Sequence, residues 1–392
     1  MTAGEVPGHD AALTLPPLSL YVHVPWCIRK CPYCDFNSHQ SNGELPERDY
    51  VAALLSDFAQ DLPYLQGRPI QSIFIGGGTP SLFSASAYDT LFNGLLRHAR
   101  FTDDIEITLE ANPGTAEMMK FADYRRIGIN RLSIGIQSFD EQQLKHLGRI
   151  HNSEESRRAI DFARRAGFDN LNLDLMYGLK DQSRELALAD LHAGLAHAPE
   201  HLSWYQLTIE PNTEFYKRPP TLPPEDELID IQDAGLALLQ DSGFQRYEIS
   251  AFARQGHRSR HNLNYWRFGD YLGIGAGAHG KITLPGEQRL LRTRKNKQPG
   301  HYLQSAATAQ FTAGSDDILP QDIALEYLLN VLRLQEGFTA SAFEAATGLG
   351  YGVIGKQVES LLGKSLLCME NDLIRPTEKG HQFLNSVLEE FL

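Results

Sequence analysis

The chain is expected to adopt an α/β fold, a partial or complete parallel (β/α) barrel followed by a smaller, mainly helical, winged-helix-like C-terminal domain. Three observations carry that reading. From residue 18 onward, short β-branched or apolar runs alternate with longer stretches of helical period, the pattern of repeated βα units on a parallel sheet. The chemically unusual residues fall at the C-terminal ends of those runs, where the loops of a barrel open onto one face. Beyond residue 320 the alternation gives way to three helical stretches, a hairpin-like run and a last helix.

Strands are expected over 18–24, 72–75, 105–109, 131–136, 171–176 and 203–209, and helices over 47–62, 86–98, 143–147, 153–166, 185–196 and 226–240. Pattern alone leaves an open, doubly wound sheet as the alternative to a barrel. The barrel is favoured by five sites near the ends of successive strands: the cysteine run 27–34, Gly76 to Pro80 (GGGTP), Glu110 to Pro113 (EANP), Gln137-Ser138, and Asp174. Residues 1–17 read as a flexible lead, 18–283 as the barrel domain, and 284–320 as a linker or crossover containing the basic run Arg289 to Lys297. Residues 321–392 read as the C-terminal domain, with helices over 323–334, 339–347 and 352–364, a hairpin over 366–375 and a helix over 378–392.

The 36 Lys and Arg against 49 Asp and Glu leave a net charge of −13 over 392 residues. That balance disfavours nonspecific attraction to nucleic acid or an anionic membrane, which both need surplus Lys and Arg. The C-terminal segment is acidic too (Glu344, Glu359, Glu370, Asp372), so a zinc-stabilised transcriptional module lacks the basic recognition face it would need. No apolar run reaches the length of a bilayer span, and the start carries Glu5 and Asp10 where a signal peptide would carry Lys or Arg. A cytoplasmic protein without stable membrane insertion is expected. Of the four cysteines, Cys27, Cys31 and Cys34 lie within eight residues and Cys368 lies far away. Such clustering in a reducing compartment points to metal or cluster chemistry instead of a disulfide framework.

Three thiols spaced CxxxCxxC on a loop after a strand can wrap three corners of a cuboidal iron–sulfur cluster, leaving the fourth iron open to a ligand. A structural zinc site completed by His23 or His39 is the competing reading, ranked lower because zinc ligands usually come as two separated pairs. Gly275 to Gly280 formally satisfies GxGxxG. It is rejected as a dinucleotide fingerprint, because a strand-like run, Lys281-Ile-Thr-Leu, follows where a helix is required.

The run Tyr21-Val-His-Val-Pro-Trp-Cys-Ile-Arg-Lys-Cys-Pro-Tyr-Cys-Asp-Phe resembles the radical S-adenosylmethionine superfamily, whose signature is CxxxCxxC with an aromatic, here Tyr33, before the third Cys. Within it the chain from Leu18 to the end resembles the branch of oxygen-independent coproporphyrinogen oxidases and heme chaperones, and within that branch the HemW family of chaperones. The resemblance implies that Cys27, Cys31 and Cys34 hold a 4Fe-4S cluster and that Gly77, Gly78 and Thr79 hold the amino end of S-adenosylmethionine. It further implies that Tyr21, Tyr33, Glu110, Gln137, Arg149 and Asp174 are the remaining contacts to that cofactor. The chemistry implied is chelation of the methionine amino and carboxylate groups by the open iron, transfer of one electron and release of a 5′-deoxyadenosyl radical.

A second constellation, His261-Asn-Leu-Asn-Tyr265-Trp266, resembles the HNxxYW motif of the heme chaperones. An imidazole can ligate heme iron while Tyr and Trp stack on or edge the macrocycle; the bland alternative is a loop His with core aromatics. Arg254, Arg258 and Arg260 could meet heme propionates or form a solvated basic loop, and His279 is unassigned. The oxidases carry a further Cys two residues after the third, where Phe36 stands here, and a longer N-terminal segment. The resemblance therefore implies a chaperone that binds cluster, S-adenosylmethionine and heme and hands heme to an acceptor protein, with an electron donor as a further partner. The alternative is oxidative decarboxylation of coproporphyrinogen III.

Overall fold

A computed structural model describes residues 11–41 and 43–392. Among them a twelve-stranded sheet dominates, formed by β1 (Leu18–Val24), β2 (Ile70–Gly77), β3 (Phe101–Ala111), β4 (Arg131–Gln137), β5 (Leu171–Tyr177) and β6 (His201–Gln206). It continues with β7 (Gln245–Arg246), β8 (Ala251–Ala253), β9 (Asp270–Ile274), β10 (His279–Leu284), β11 (Arg289–Lys295) and β12 (Thr312–Asp317). The order is β12-β11-β10-β9-β1-β2-β3-β4-β5-β6-β8-β7. From β9 to β6 the neighbours run parallel, with Val22 opposite both Ile274 and Ile75. Antiparallel strands extend both edges, and no described pairing joins β12 to β7, so the barrel is partial.

The parallel strands are apolar runs because they are covered on both faces. Leu20, Val22, Ile73, Ile75, Leu109, Ile134 and Leu173 are fully buried beneath helices Glu47–Asp61, Ala85–Leu96, Ser153–Arg165, Arg184–Leu195 and Glu225–Asp241. Three of these helices begin where a side chain takes an orphan backbone N–H: Ser84 from Ala87, Asn152 from Glu155 and Ser183 from Leu186. Two short helices, Thr115–Met118 and Phe121–Arg126, fill the β3–β4 connection, where the sequence carried no helical expectation.

Three expectations are corrected. The stretch 284–320 is no linker, since it carries β11, helix Pro299–Ser305 and β12. Leu290, Leu291 and Thr293 of the basic run are buried, and the Lys295 ammonium lies between Asp57 (2.6 Å) and Asp61 (2.8 Å) of the first long helix. Residues 11–17 of the lead are tied down: Ala11 N donates to Gly348 O, Thr14 N to Ala345 O, and Leu13 is buried; residues 1–10 lie outside the described residues. The last helix is two, Glu378–Gln382 and Leu384–Glu389, broken at Phe383. Before it come helices Pro320–Val331, Ala340–Thr347 and Gly352–Gly363 and the hairpin Leu367–Glu370 with Leu373–Pro376, which pack around Leu328, Phe343, Val358 and Ile374 in a second core.

Candidate functional site

The chain leaves β1 at Pro25, and the loop that follows carries the three thiols. Its ends are pinned where Trp26–Cys27 pairs with His39–Gln40. Cys27 is buried, Cys31 and Cys34 are half-buried, and all three are free and line one cavity of about 460 Å³ at the C-terminal ends of the parallel strands. Burial pushes the thiols of Cys27 and Cys34 up, and Cys31 accepts from Arg149 NH1 at 3.5 Å. His23 is not available as a fourth ligand. Its Nε2 lies 2.8 Å from the Asn37 carbonyl, so that nitrogen carries the proton and Nδ1 accepts from the Tyr21 hydroxyl at 3.0 Å. No three described His, Cys, Asp or Glu side chains gather tightly enough for a single metal ion. A donor set of three thiols without a fourth fits a 4Fe-4S cluster, which takes each thiolate on its own iron.

The GGGTP loop is stitched to the thiol loop. Gly78 N donates to Val24 O and Thr79 N to Trp26 O, both at 2.7 Å. Gly77 sits at φ +117°, where a Cβ would fall 2.5 Å from His23 Cε1. Its N–H donates to Glu110 Oε2 at 3.1 Å. Desolvation, with the Asp174 carboxyl adding to it, pushes Glu110 up to about 8. Asp174 accepts from Asn172 Nδ2 (2.8 Å) and Ser133 Oγ (3.1 Å), and Gln137 Oε1 accepts from the Tyr205 hydroxyl (2.7 Å). Arg149 NH2 donates to Asn112 Oδ1 and the Gly135 carbonyl, while its buried Nε has no partner. A guanidinium with one donor unpartnered and two carboxyl groups, those of Glu110 and Asp174, in one cavity suit an amino acid's carboxylate and ammonium, the end that S-adenosylmethionine presents. The structure thus gathers Cys27, Cys31, Tyr33, Cys34, Gly77, Gly78 and Thr79 with Glu110, Gln137, Arg149 and Asp174 in one cavity. Asn112 and Tyr205 belong to the same wall; both lie at strand ends, the positional signal that marked the others.

Tyr21 faces a different space. It lines a second cavity, about 650 Å³, that shares Asp35, Phe36, Gly77 and Glu110 with the first. Helix Arg260–Trp266 brings His261 and Tyr265 there. Ser259 caps it by accepting from Asn262 N, and the Glu106 carboxylate takes the N–H groups of Arg260 and His261 at 3.0 and 3.1 Å. The His261 ring lies against Phe74, with Nδ1 3.1 Å from Ser72 Oγ and no described hydrogen-bond partner at Nε2. Burial, with Arg131 adding to it, pulls its pKa down to about 3, so the imidazole is neutral.

Trp266 departs from its expected place. Successive helical residues point about 100° apart. Trp266 therefore packs on Leu263, Tyr247 and Leu334, with the Arg333 guanidinium 4.3 Å above its ring, and does not line the cavity. The upstream arginines are also engaged elsewhere: Arg254 with Pro199 O, Arg258 with Glu336 and Arg260 with Asp104. His279 does line the second cavity, as do Lys297, the last residue of the basic run, and Tyr271, which no sequence signal marked.

Residues 21–191 match the Radical SAM superfamily and residues 318–383 the HemN C-terminal domain. The chain is 51% identical to the heme chaperone HemW of Escherichia coli, covering 96% of this chain and 99% of that protein, and 47% identical to that of Haemophilus influenzae over 96% and 98%. It is 35% identical to mouse radical S-adenosyl methionine domain-containing protein 1, mitochondrial, over 98% and 89%. The solved structure of E. coli coproporphyrinogen III oxidase (HemN), a radical SAM enzyme, superposes with a TM-score of 0.81 at 24% identity, covering 96% of this chain and 90% of that one, a likeness of fold. With the thiol triad, the glycine loop and near full-length identity in agreement, the chain belongs to the HemW family of the radical S-adenosylmethionine superfamily.

Proposed function

We propose that this chain is a cytoplasmic heme chaperone that holds heme in the second cavity, beside a 4Fe-4S cluster and S-adenosylmethionine in the first, and passes heme to an acceptor protein. The observation that carries this reading is the neutral His261, its Nε2 unspent, in a tyrosine-lined cavity that shares a wall with the thiol cavity. Cys27, Cys31 and Cys34 would hold the cluster; Gly77, Gly78, Thr79 and Glu110 would receive the ammonium of S-adenosylmethionine, and Arg149 its carboxylate. Tyr33, Gln137 and Asp174 would supply the remaining contacts in that cavity. When bound, that cofactor pair supplies one-electron reductive cleavage of a sulfonium, fed by an electron donor. This chain's residues orient the pair and shield it. His261 Nε2 would ligate heme iron, its ring held by Ser72 and Phe74. No described helix is long and apolar enough to cross a membrane.

The second reading is an oxygen-independent coproporphyrinogen III oxidase. Phe36 counts against it: an exposed phenylalanine lines both cavities where the oxidases carry a further thiol. The test is an anaerobic assay of cluster-reconstituted protein given S-adenosylmethionine, reductant and coproporphyrinogen III, alongside a hemin titration. Hemin binding without protoporphyrinogen formation is expected. Formation of protoporphyrinogen would overturn the chaperone reading.

A further inference from the structure

A chain of hydroxyl groups leads from the second cavity to the C-terminal domain. Glu326 on helix Pro320–Val331 pairs with Arg292 of β11, and Arg292 NH1 donates to the Tyr271 hydroxyl at 2.7 Å. Tyr271 donates in turn to the Tyr265 hydroxyl at 3.1 Å. The direction of the relay is fixed from its charged end. A guanidinium only donates, so the Tyr271 oxygen accepts and its proton goes to Tyr265. The Tyr265 oxygen accepts as well, which leaves its own proton for a partner, and no described residue takes it. Tyr21 on the same cavity does the reverse, since it gives its proton to His23 Nδ1 and can only accept.

The charges around the cavity agree with that direction. Lys297 and Lys30 line it; Lys30 Nζ is occupied by the Phe36 and Ser38 carbonyls, whereas Lys297 is exposed and forms no described ion pair. Of the two acids there, Asp35 and Glu110, the second also faces the thiol cavity, accepts from Gly77 N, and is pushed up to about 8 by desolvation. An aimed hydroxyl proton, polarised through Tyr271 by a guanidinium and accompanied by a free ammonium, is a receptor for an anionic oxygen.

We infer that Tyr265 and Lys297 bind a propionate carboxylate of the porphyrin, so that Tyr265 acts as a hydrogen-bond donor to the cargo's edge instead of a stacking ring. Arg292 is a positioning residue, acting through Tyr271. The inference rests on the chaperone reading and adds to it the feature of the cargo that this wall reads.

The test titrates the full-length protein with hemin and with hemin dimethyl ester, whose propionates carry no charge, following the Soret band. Wild-type protein is expected to bind hemin about tenfold tighter than the ester. Tyr265→Phe and the surface change Lys297→Gln should each weaken hemin binding by roughly three- to tenfold and leave ester binding unchanged. Arg292→Gln should weaken hemin binding less. The Soret position should stay constant in all three, because the iron ligand is untouched. Equal wild-type affinity for the two ligands, or variants that weaken both equally, would overturn the assignment while leaving the chaperone reading intact. Failure of wild-type protein to bind either ligand would overturn both.

Discussion

Replacing Gly77 with alanine tests whether the GGGTP loop and the thiol loop form one braced unit. At φ +117° the added Cβ would approach His23 Cε1 to 2.5 Å and both ring nitrogens to 2.8 Å. Holding a residue other than glycine in that backbone region costs about 1–3 kcal/mol. The imidazole must also retreat, which breaks its 2.8 Å bond to the Asn37 carbonyl and its 3.0 Å bond from Tyr21. Each of those is worth about 1 kcal/mol. Gly77→Ala should therefore lower the unfolding free energy by roughly 3–5 kcal/mol. Gly128→Ala is the control: φ is +103°, nothing lies within 4 Å of its added Cβ, and only the backbone contribution applies. Guanidinium unfolding of the two variants under argon should show Gly77→Ala the less stable by about 2 kcal/mol. Equal losses, or a Gly77→Ala loss under about 1 kcal/mol, would refute the bracing argument.

Alanine at Cys27, Cys31 or Cys34 should abolish the broad violet absorbance of reconstituted protein, whereas alanine at Cys368, on the hairpin of the C-terminal domain, should preserve it; an intact spectrum in any of the first three removes that ligand. His261→Ala should shift or weaken the heme spectrum and spare the cluster bands, and an unchanged Soret band would remove His261 as axial ligand. Glu110 makes a pH prediction. Its carboxyl holds a proton to about 8 in the folded chain against an ordinary 4.5, so the folded state binds the extra proton between those values and its contribution to stability is lost as pH rises through them. Glu110→Gln should flatten that part of the stability curve, and an unaltered slope in melts across that window would show that the carboxyl ionises freely in the native state.

Six of the seven parallel strands were legible because a parallel sheet covered on both faces needs runs such as Leu18–Val24 and Leu171–Tyr177, whereas Asp270–Ile274 and most of the antiparallel edge strands carry no comparable run. The strand-end rule then found most of the first cavity, since βα loops of one sheet open to one side. Lys295 shows what stayed hidden: a lysine among arginines reads as solvated, and its counter-charges, Asp57 and Asp61, lie more than 230 residues away. Adjacent aromatics read as a pair in Tyr265-Trp266, but on a helix they diverge, and only the fold shows that one faces the cavity and the other the Arg333 guanidinium. Tyr21, which the motif groups with the residues of the thiol cavity, lines the neighbouring space on the other side of Gly77 and Glu110, a placement that a single side-chain direction makes.

The wall that the two cavities have in common has a thermodynamic consequence. Asp35, Phe36, Gly77 and Glu110 present surfaces to both spaces, so a ligand that fixes the protonation of Glu110 or the rotamer of Phe36 on one side alters what the other side offers. Linkage makes that cross-talk symmetrical. By whatever factor an occupant of the thiol cavity changes affinity in the tyrosine-lined one, the second occupant changes the affinity of the first by the same factor. A shared wall of four residues is where any such coupling between the two occupants would run.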